Sequence, residues 1–471
     1  MNEEEFREWE EIMNIVHRFE QMLENNANSF FEEDEFESLA DYYLENNKLS
    51  NASKAIEYGL GIYPTSNSIK LKNVQLLIDQ KEFDKAFAII GIIEKSKSFS
   101  YEVNVLKGTI YNLKNEPDKA EIEFEKALLL IEDESVLDEI LLNIAISFEV
   151  TFHYETALKY LNRAIKINPS NFEILLEMAI CYERTTNNKK AIEYYIKYLD
   201  EEPFDAEAWF SLGISYSFTE NYEKAIEAYD FAIAINDKFS SAYFYKADIY
   251  VNIKNDYLKG LDVYFDYLAL IKDDPSVYYY IGECYENLSE FEKALDFYNK
   301  TLLIEPKYAD AYLGIAYVHL ELNNIDICLE NVIIALEIDN ENPEYWYLYA
   351  KVQSNKSNYE EAKKGFENAL NIESFDEEIW IDFSDLFYTN NKIDEAIKTL
   401  NESQTYCPDS ADIAYKLAFL FSKAEAFKSM YSSLENAFIL DSTRFDNYKE
   451  MFSHLENDLQ FIELIKKYKI K

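Results

Sequence analysis

Glycine and proline are scarce in this chain, with nine and eight residues among 471. Turn-rich β folds depend on both, so their scarcity argues against an all-β fold and favours long helices joined by short links. The cysteines are equally few and lie far apart, without a CxxC pair: Cys181, Cys284, Cys328 and Cys407. We therefore expect neither a disulfide framework nor a zinc site.

Basic residues are outnumbered, because 45 Lys and Arg stand against 89 Asp and Glu and give a formal net charge of -44. Such a surface repels phosphate backbones, which argues against nucleic acid as a partner, and it attracts basic protein segments. Solubility alone is the other explanation of this charge. No stretch approaches the about 18 apolar residues of a membrane span, and the acidic start MNEEEFREWEEI is not a signal peptide. We expect no membrane contact and a cytoplasmic location.

Sequence motifs of catalysis are also missing. The chain has no P-loop, GxGxxG or GxSxG motif, and its histidines form no cluster with ligand spacing: His17, His153, His319 and His454. We therefore predict that the protein is not an enzyme and needs no cofactor or metal. A fortuitous pair among the many carboxylates keeps an acid-pair hydrolase as a remote alternative.

A 34-residue period fills most of the chain. Its clearest copies read WFSLGISY at residues 209–216 and YYYIGECY at residues 278–285, and a second helix with the pattern Ala-x3-Tyr follows each copy. The frame slips twice, at Ser135–Leu137 and by one residue in the Ile253–Tyr257 turn. Counting in steps of 34 gives twelve repeats, which start at residues 33, 67, 101, 138, 172, 206, 240, 275, 309, 343, 377 and 411.

The columns of this alignment carry the packing information. Position 8 is Gly, Ala or Ser in eleven of twelve repeats, position 11 is aromatic in nine, and position 20 is Ala in nine, with Gly260, Cys328 and Met430 in the others. Small residues allow a close helix crossing, and aromatic residues fill the space beside it. Apolar spacings of three and four residues predict two helices per repeat, and a proline at position 32 of five repeats ends the second.

These residues resemble the tetratricopeptide-repeat (TPR) family over residues 33–444, and in layout the long all-TPR proteins of bacteria. The resemblance implies an all-α, right-handed superhelical solenoid of about twelve helical hairpins. An N-terminal amphipathic capping helix in residues 1–32 and one or two C-terminal capping helices in residues 445–471 would close its ends. In the family, first helices line a concave groove that commonly binds an extended peptide or a partner helix. The lysines and asparagines of the family's carboxylate clamp are missing at positions 5 and 9, so we do not expect chaperone-tail binding.

Positions 2, 5, 9 and 12 of the first helices face the groove in the family, and position 5 is apolar or aromatic in eleven repeats here. We predict a site for a peptide with apolar anchors and basic flanks. Its candidate residues are Phe210, Phe244, Tyr245, Asp248, Tyr279, Tyr280, Glu283, Glu286, Leu313, Tyr317 and Tyr347. In the alternative, the position-5 side chains are inter-repeat core. Acids at position 2 of nine repeats complement the helix dipole or form a lip that selects cationic ligands.

The sequence therefore predicts a non-enzymatic protein–protein interaction scaffold. The alternative is a structural protein that self-assembles through its end faces or its N-terminal helix. A homo-oligomer is compatible with the sequence, although no feature of the sequence indicates one.

Added salt is expected to raise the melting temperature, because screening weakens repulsion among the surplus negative charges. Circular dichroism melts at about 20 mM and about 500 mM NaCl measure this effect, since the Debye length shrinks several-fold between them. A flat or falling melting temperature would contradict the expectation.

Overall fold

The computed structural model describes residues 3–25, 29–96, 100–131 and 133–468. All regular secondary structure in these residues is helical, which confirms the predicted all-α class. The chain forms two compact bodies, Met1–Asp237 and Lys238–Lys471, which we call the N-terminal and C-terminal bodies. The outer ends of the two predicted caps, residues 1, 2 and 469–471, lie outside the described residues.

The N-terminal body contains thirteen α-helices among its described residues. They are α1 (Glu3–Asn25), α2 (Glu33–Glu45), α3 (Leu49–Ile62), α4 (Asn67–Asp79), α5 (Phe83–Lys95), α6 (Tyr101–Leu113), α7 (Pro117–Leu128), α8 (Leu137–Glu149), α9 (Tyr154–Ile167), α10 (Phe172–Arg184), α11 (Asn188–Glu201), α12 (Ala206–Phe218) and α13 (Tyr222–Ile235). A single 3-10 turn, Glu134–Val136, precedes α8.

The C-terminal body continues the same alternation of two helices and a short link. Its helices are α14 (Ser240–Asp248), α15 (Tyr257–Leu270), α16 (Pro275–Asn287), α17 (Phe291–Ile304), α18 (Ala309–Glu321), α19 (Ile325–Ile338), α20 (Pro343–Asn355), α21 (Tyr359–Ile372), α22 (Glu377–Thr389), α23 (Ile393–Ser403), α24 (Ala411–Lys423), α25 (Phe427–Asp441), α26 (Phe445–Tyr448) and α27 (Leu459–Lys467). Within each body, the two helices of a hairpin pack on each other and the second helix packs on the next hairpin.

A ring lying over a small residue sets the helix crossing inside many hairpins. A Cβ atom on Gly213 would come within 2.4 Å of the Tyr229 ring, and one on Gly282 within 2.6 Å of the Tyr298 ring. These rings occupy position 24 of the second helix, and they lie over position 8 of the first. The sequence predicts that aromatic residues at position 11 fill this space, whereas the structure places the position-24 ring there. Tyr229 and Tyr298 are completely buried as a result.

The turn inside each hairpin contains one residue in the left-handed region, and this residue is never glycine in the described chain. In the sixth repeat Glu220 has φ 58°, its N–H donates to the Ser217 carbonyl, and the Asn221 N–H donates to the Tyr216 carbonyl. This is the Schellman arrangement that closes a helix C-terminus. It recurs at Asn47, Lys81, Asn115, Phe152, Thr186, Ser289, Asn323, Ser357, Asn391 and Glu425. Asn255 is left-handed too, but after it the Asp256 N–H donates to the Tyr250 carbonyl, one residue further back.

The seventh repeat contains its extra residue inside the first helix and not in the following turn, where the sequence analysis placed it. Residues Ile249–Ile253 form one π-helical turn at the end of α14. The left-handed residue Asn255 precedes the second helix by two positions, as Glu220 does in the sixth repeat. A π turn closes over one more residue than an α turn does, so the helix absorbs the insertion and the loop keeps its length.

Both termini of the chain pack apolar helix faces onto the nearest hairpin. Val16 and Phe19 of α1 are buried, and Phe19 meets the Phe31 and Phe36 rings with centroids 5.8 and 6.4 Å away. At the other end, a cluster of rings from α25 to α27 includes Phe438, Phe445, Phe452 and Phe461. The division into twelve repeats and two caps remains our interpretation of this helix order.

Replacing Thr186 with glycine is expected to stabilise the protein by about 0.5–1 kcal/mol, because a β-branched residue is strained at φ 59°. Glycine adopts this conformation freely, and its larger unfolded-state entropy offsets only part of the gain. Urea unfolding measures the change. Asn115→Gly, at φ 60° in the same body, is the control and should gain less, since asparagine tolerates this region. Equal gains, or a loss at Thr186, would contradict the strain.

Candidate binding site

The first helices of the C-terminal body place one set of repeat positions along a common side. We call the residues at positions 2, 5, 9 and 12 of α14, α16, α18, α20 and α22 the first-helix stripe. Their spacings of three and four residues put them on one face of each helix. Some successive first helices of this body contact one another directly, as α16 does with α18 and α20 with α22. The stripe therefore continues from one repeat to the next.

The position-5 side chains insert their apolar parts between the helices. The Phe244 ring centroid lies 5.6 Å from Tyr267 of its own hairpin and 5.7 Å from Tyr280 of the next first helix. Leu313 is buried, and the Tyr347 ring packs 6.2 Å from Phe366. Of these ring contacts, Phe244 with Tyr280 joins two repeats, whereas Tyr347 with Phe366 lies within one hairpin. The packed rings leave the hydroxyls of the tyrosines as the parts that interact along the stripe.

Tyrosine hydroxyls in this body donate hydrogen bonds to carboxylates on the first helices. Tyr279 donates to Glu283 at 2.9 Å, and both residues belong to α16. Tyr347 of α20 bonds Asp382 of α22 at 2.7 Å and so joins neighbouring repeats. The other bonds of this kind join Tyr298 to Glu286 (2.5 Å), Tyr317 to Glu344 (2.9 Å), Tyr345 to Asp310 (2.5 Å) and Tyr347 to Glu378 (2.9 Å).

The carboxylates of the stripe lie close enough together to disfavour one another's charge. Burial raises the pKa of Glu283 to about 7, the Tyr279 hydrogen bond opposes that rise, and the charge of Glu286 adds to it. Burial also raises the pKa of Glu286. Lys351 partly neutralises the far end of the stripe, with its Nζ 3.8 Å from Glu378. The stripe therefore holds an excess of negative charge that a cationic ligand would relieve.

A cavity of about 570 Å³ opens among α14, α15 and α16. It brings together five of the predicted site residues: Phe244, Tyr245, Asp248, Tyr280 and Glu283. The other predicted residues of this body, Tyr279, Glu286, Leu313, Tyr317 and Tyr347, lie along the stripe outside the cavity lining. Phe210 belongs to the N-terminal body, where its ring lies 5.7 Å from Tyr229.

Five further residues line the cavity although the sequence analysis did not select them: Val251, Asn252, Tyr264, Ser276 and Cys284. Two signals in the sequence could have identified this repeat. One is its extra residue, and the other is Gly260, which stands where nine repeats have alanine. The two belong together, because a Cβ atom on Gly260 would come within 2.5 Å of Val251 in the π turn.

A pair of carboxyl groups meets in the N-terminal body. Burial raises the pKa of Glu149, and a hydrogen bond that its protonated carboxyl donates to the adjoining Glu177 raises the pKa further.

No group of three or more His, Cys, Asp or Glu side chains in the described chain is arranged to hold a metal ion. In the same residues, no helix has the length and apolar character that crossing a bilayer requires.

Comparison with family models matches three models described as tetratricopeptide repeat. The first matches residues 206–239 and 275–308, the second residues 152–212, and the third residues 101–134 and 343–376. The comparison with curated proteins finds no match.

Several solved structures have a similar fold. Yeast Tom70 is 16% identical over 93% of this chain and 98% of its own, with a TM-score of 0.46. The C-terminal part of a TPR repeat-containing protein from Cytophaga hutchinsonii is 16% identical over 50% of this chain and 96% of its own, with a TM-score of 0.42. YrrB, described as a TPR protein with an unusual peptide-binding site, is 20% identical over 40% and 96%, with a TM-score of 0.31.

Glu283→Gln is expected to stabilise the protein at pH 8 and to have little effect at pH 5. The folded-state pKa of about 7 lies above the reference value of 4.5, so the native state binds the proton more tightly. The free energy of unfolding therefore falls as the pH rises from about 5 to 8, and a neutral glutamine abolishes this pH dependence. Melting temperatures across pH 5–8 measure it, with the exposed Glu330→Gln on α19 as control. Equal pH profiles for wild type and Glu283→Gln would refute the assignment.

Proposed function

The chain is a tetratricopeptide-repeat protein, and on that premise we propose that it is a protein-interaction scaffold. Its ligand is a peptide or a partner helix that carries basic residues beside apolar anchors. The binding surface is the first-helix stripe of the C-terminal body. A non-enzymatic role and a cytoplasmic location belong to the same proposal.

The arrangement of carboxylates on successive first helices is the observation that supports this surface. Glu283 and Glu286 lie on α16, Asp310 on α18, Glu344 on α20 and Glu378 on α22. Tyrosine hydroxyls hold each of them in place. Fixed acceptors lose little conformational entropy on binding, so their hydrogen bonds and charge are available to a ligand.

The negative charge of the whole chain also favours a basic ligand. A net charge of -44 steers basic segments toward the protein over distances comparable to the Debye length. The stripe adds close-range selection, because its acids lie beside aromatic rings that offer apolar contact. Steering accelerates association, and fixed contacts slow dissociation.

A peptide-display selection on the purified full chain at about 150 mM salt tests the proposal, because screening at that ionic strength suppresses long-range attraction. We expect enriched sequences with Lys or Arg on both sides of an apolar residue. A selected peptide should bind the double variant Glu344→Lys/Glu378→Lys at least about tenfold more weakly, because two attractive charges become repulsive.

Glu292→Lys/Glu330→Lys is the matched control. Both residues are exposed on second helices, α17 and α19, and the variant changes the net charge by the same amount. It should leave peptide affinity within about twofold of wild type, since only long-range attraction is altered. Equal losses in the two double variants, or a selection without basic sequences, would contradict binding at the stripe.

A further inference from the structure

The cavity in the C-terminal body depends on the insertion in the seventh repeat. The π turn Ile249–Ile253 rotates the end of α14, so that Val251 lies against Gly260 of α15. Nine other repeats have alanine at the position of Gly260, and an alanine there would collide with Val251. The inserted residue and the glycine thus act as one feature that reshapes a single repeat. The open space that results is lined by α14, α15 and α16.

Aromatic rings form one wall of this cavity. Tyr264 and Tyr280 stack nearly parallel, with centroids 5.8 Å apart and 10° between their planes. Phe244 meets Tyr280 at 65°, with centroids 5.7 Å apart. Tyr245 also lines the cavity and is 47% exposed, so one aromatic ring lies at the opening. The faces of such rings attract cations.

Carboxylates provide the charge of the cavity. Among its lining residues in the described chain, Asp248 and Glu283 are the charged ones, and both are acidic. Each is held by a neighbour on its own helix. Asn252 donates to Asp248 at 2.6 Å, and Tyr279 donates to Glu283 at 2.9 Å. Each bond engages one oxygen of its carboxylate, and each carboxylate has a second oxygen that can accept from a ligand.

We propose that this cavity binds the guanidinium group of one arginine side chain in the ligand, between Asp248 and Glu283 and against the aromatic wall. This inference rests on the proposed function, in which the stripe binds a basic peptide. It adds which residue of that peptide is recognised most specifically. The cavity is built around the insertion in the seventh repeat, so an arginine bound there also fixes the register of the bound peptide. The remaining carboxylates of the stripe contribute general attraction.

Arginine fits the cavity better than lysine for three physical reasons. Its planar guanidinium stacks on aromatic faces, presents five donors, and is more weakly hydrated than an ammonium group. The two carboxylates line the same cavity from different helices, and a forked donor offers separate N–H groups to each. A lysine ammonium is a compact point charge that gains less from the ring faces.

Small amides test the cavity separately from peptide binding. Isothermal titration calorimetry on the full chain would compare N-acetyl-arginine methylamide with N-acetyl-lysine methylamide at pH 8, where Glu283 is ionised because its pKa is about 7. Both probes carry a single positive charge, so long-range attraction is matched between them. We expect the arginine amide to bind at least about threefold more tightly.

Two isosteric variants locate the binding. Asp248→Asn and Glu283→Gln should each weaken the arginine amide by about tenfold or more, since each removes a charge-assisted hydrogen bond. Asp266→Asn, at an exposed position on α15, is the matched control and should bind the amide as wild type does. Far-ultraviolet circular dichroism checks that all three variants keep the fold.

Equal affinity for the two amides, or unchanged binding in Asp248→Asn and Glu283→Gln, would overturn the arginine assignment. The outcome is distinguishable from failure of the proposed function. If selected basic peptides bind the stripe while the arginine amide shows no preference, the scaffold proposal stands and the cavity proposal is wrong. If the amide binds as expected and no peptide is selected, the reverse holds.

Discussion

The fold depends on one recurring contact, an aromatic or large aliphatic side chain at position 24 lying over a small residue at position 8. Gly213 under Tyr229 and Gly282 under Tyr298 show how close this contact is, since even a methyl group would collide with the ring. The contact sets the crossing of the two helices, and the buried ring makes the crossing costly to change. A single hairpin cannot cover its remaining apolar face, so each hairpin also requires its neighbour.

The same crossing determines which residues can form a binding surface. Because position 8 of each first helix lies under the second helix, the stripe at positions 2, 5, 9 and 12 borders that contact on the first helix. The Phe244 ring packs on the next repeat and the Tyr347 ring on the second helix of its own repeat, while the Tyr347 hydroxyl donates to a carboxylate of the next first helix. Tyrosine serves both purposes because it combines a large apolar ring with a polar tip. The thirty-nine tyrosines of this chain fit that double use.

Much of the fold could be predicted from the sequence, because a residue type that recurs at the same position of many repeats indicates the same structural role in each of them. The helix order and the all-α class follow from small and aromatic residues recurring at fixed positions. The helix face that holds Asp248 and Glu283 follows from their shared position 9 in the repeat. The cavity could not be derived in this way, because it depends on a departure from the period. Gly260 and the extra residue were visible as exceptions, but only the π turn shows that they are coupled.

A crystal structure of the full chain with a selected peptide tests the central claim most directly, because the claim concerns where a basic ligand lies. The account predicts that the peptide runs along the first helices of the C-terminal body, with an arginine side chain in the cavity between Asp248 and Glu283. A peptide bound to the second helices or to an end of the chain, with that cavity empty, would contradict it.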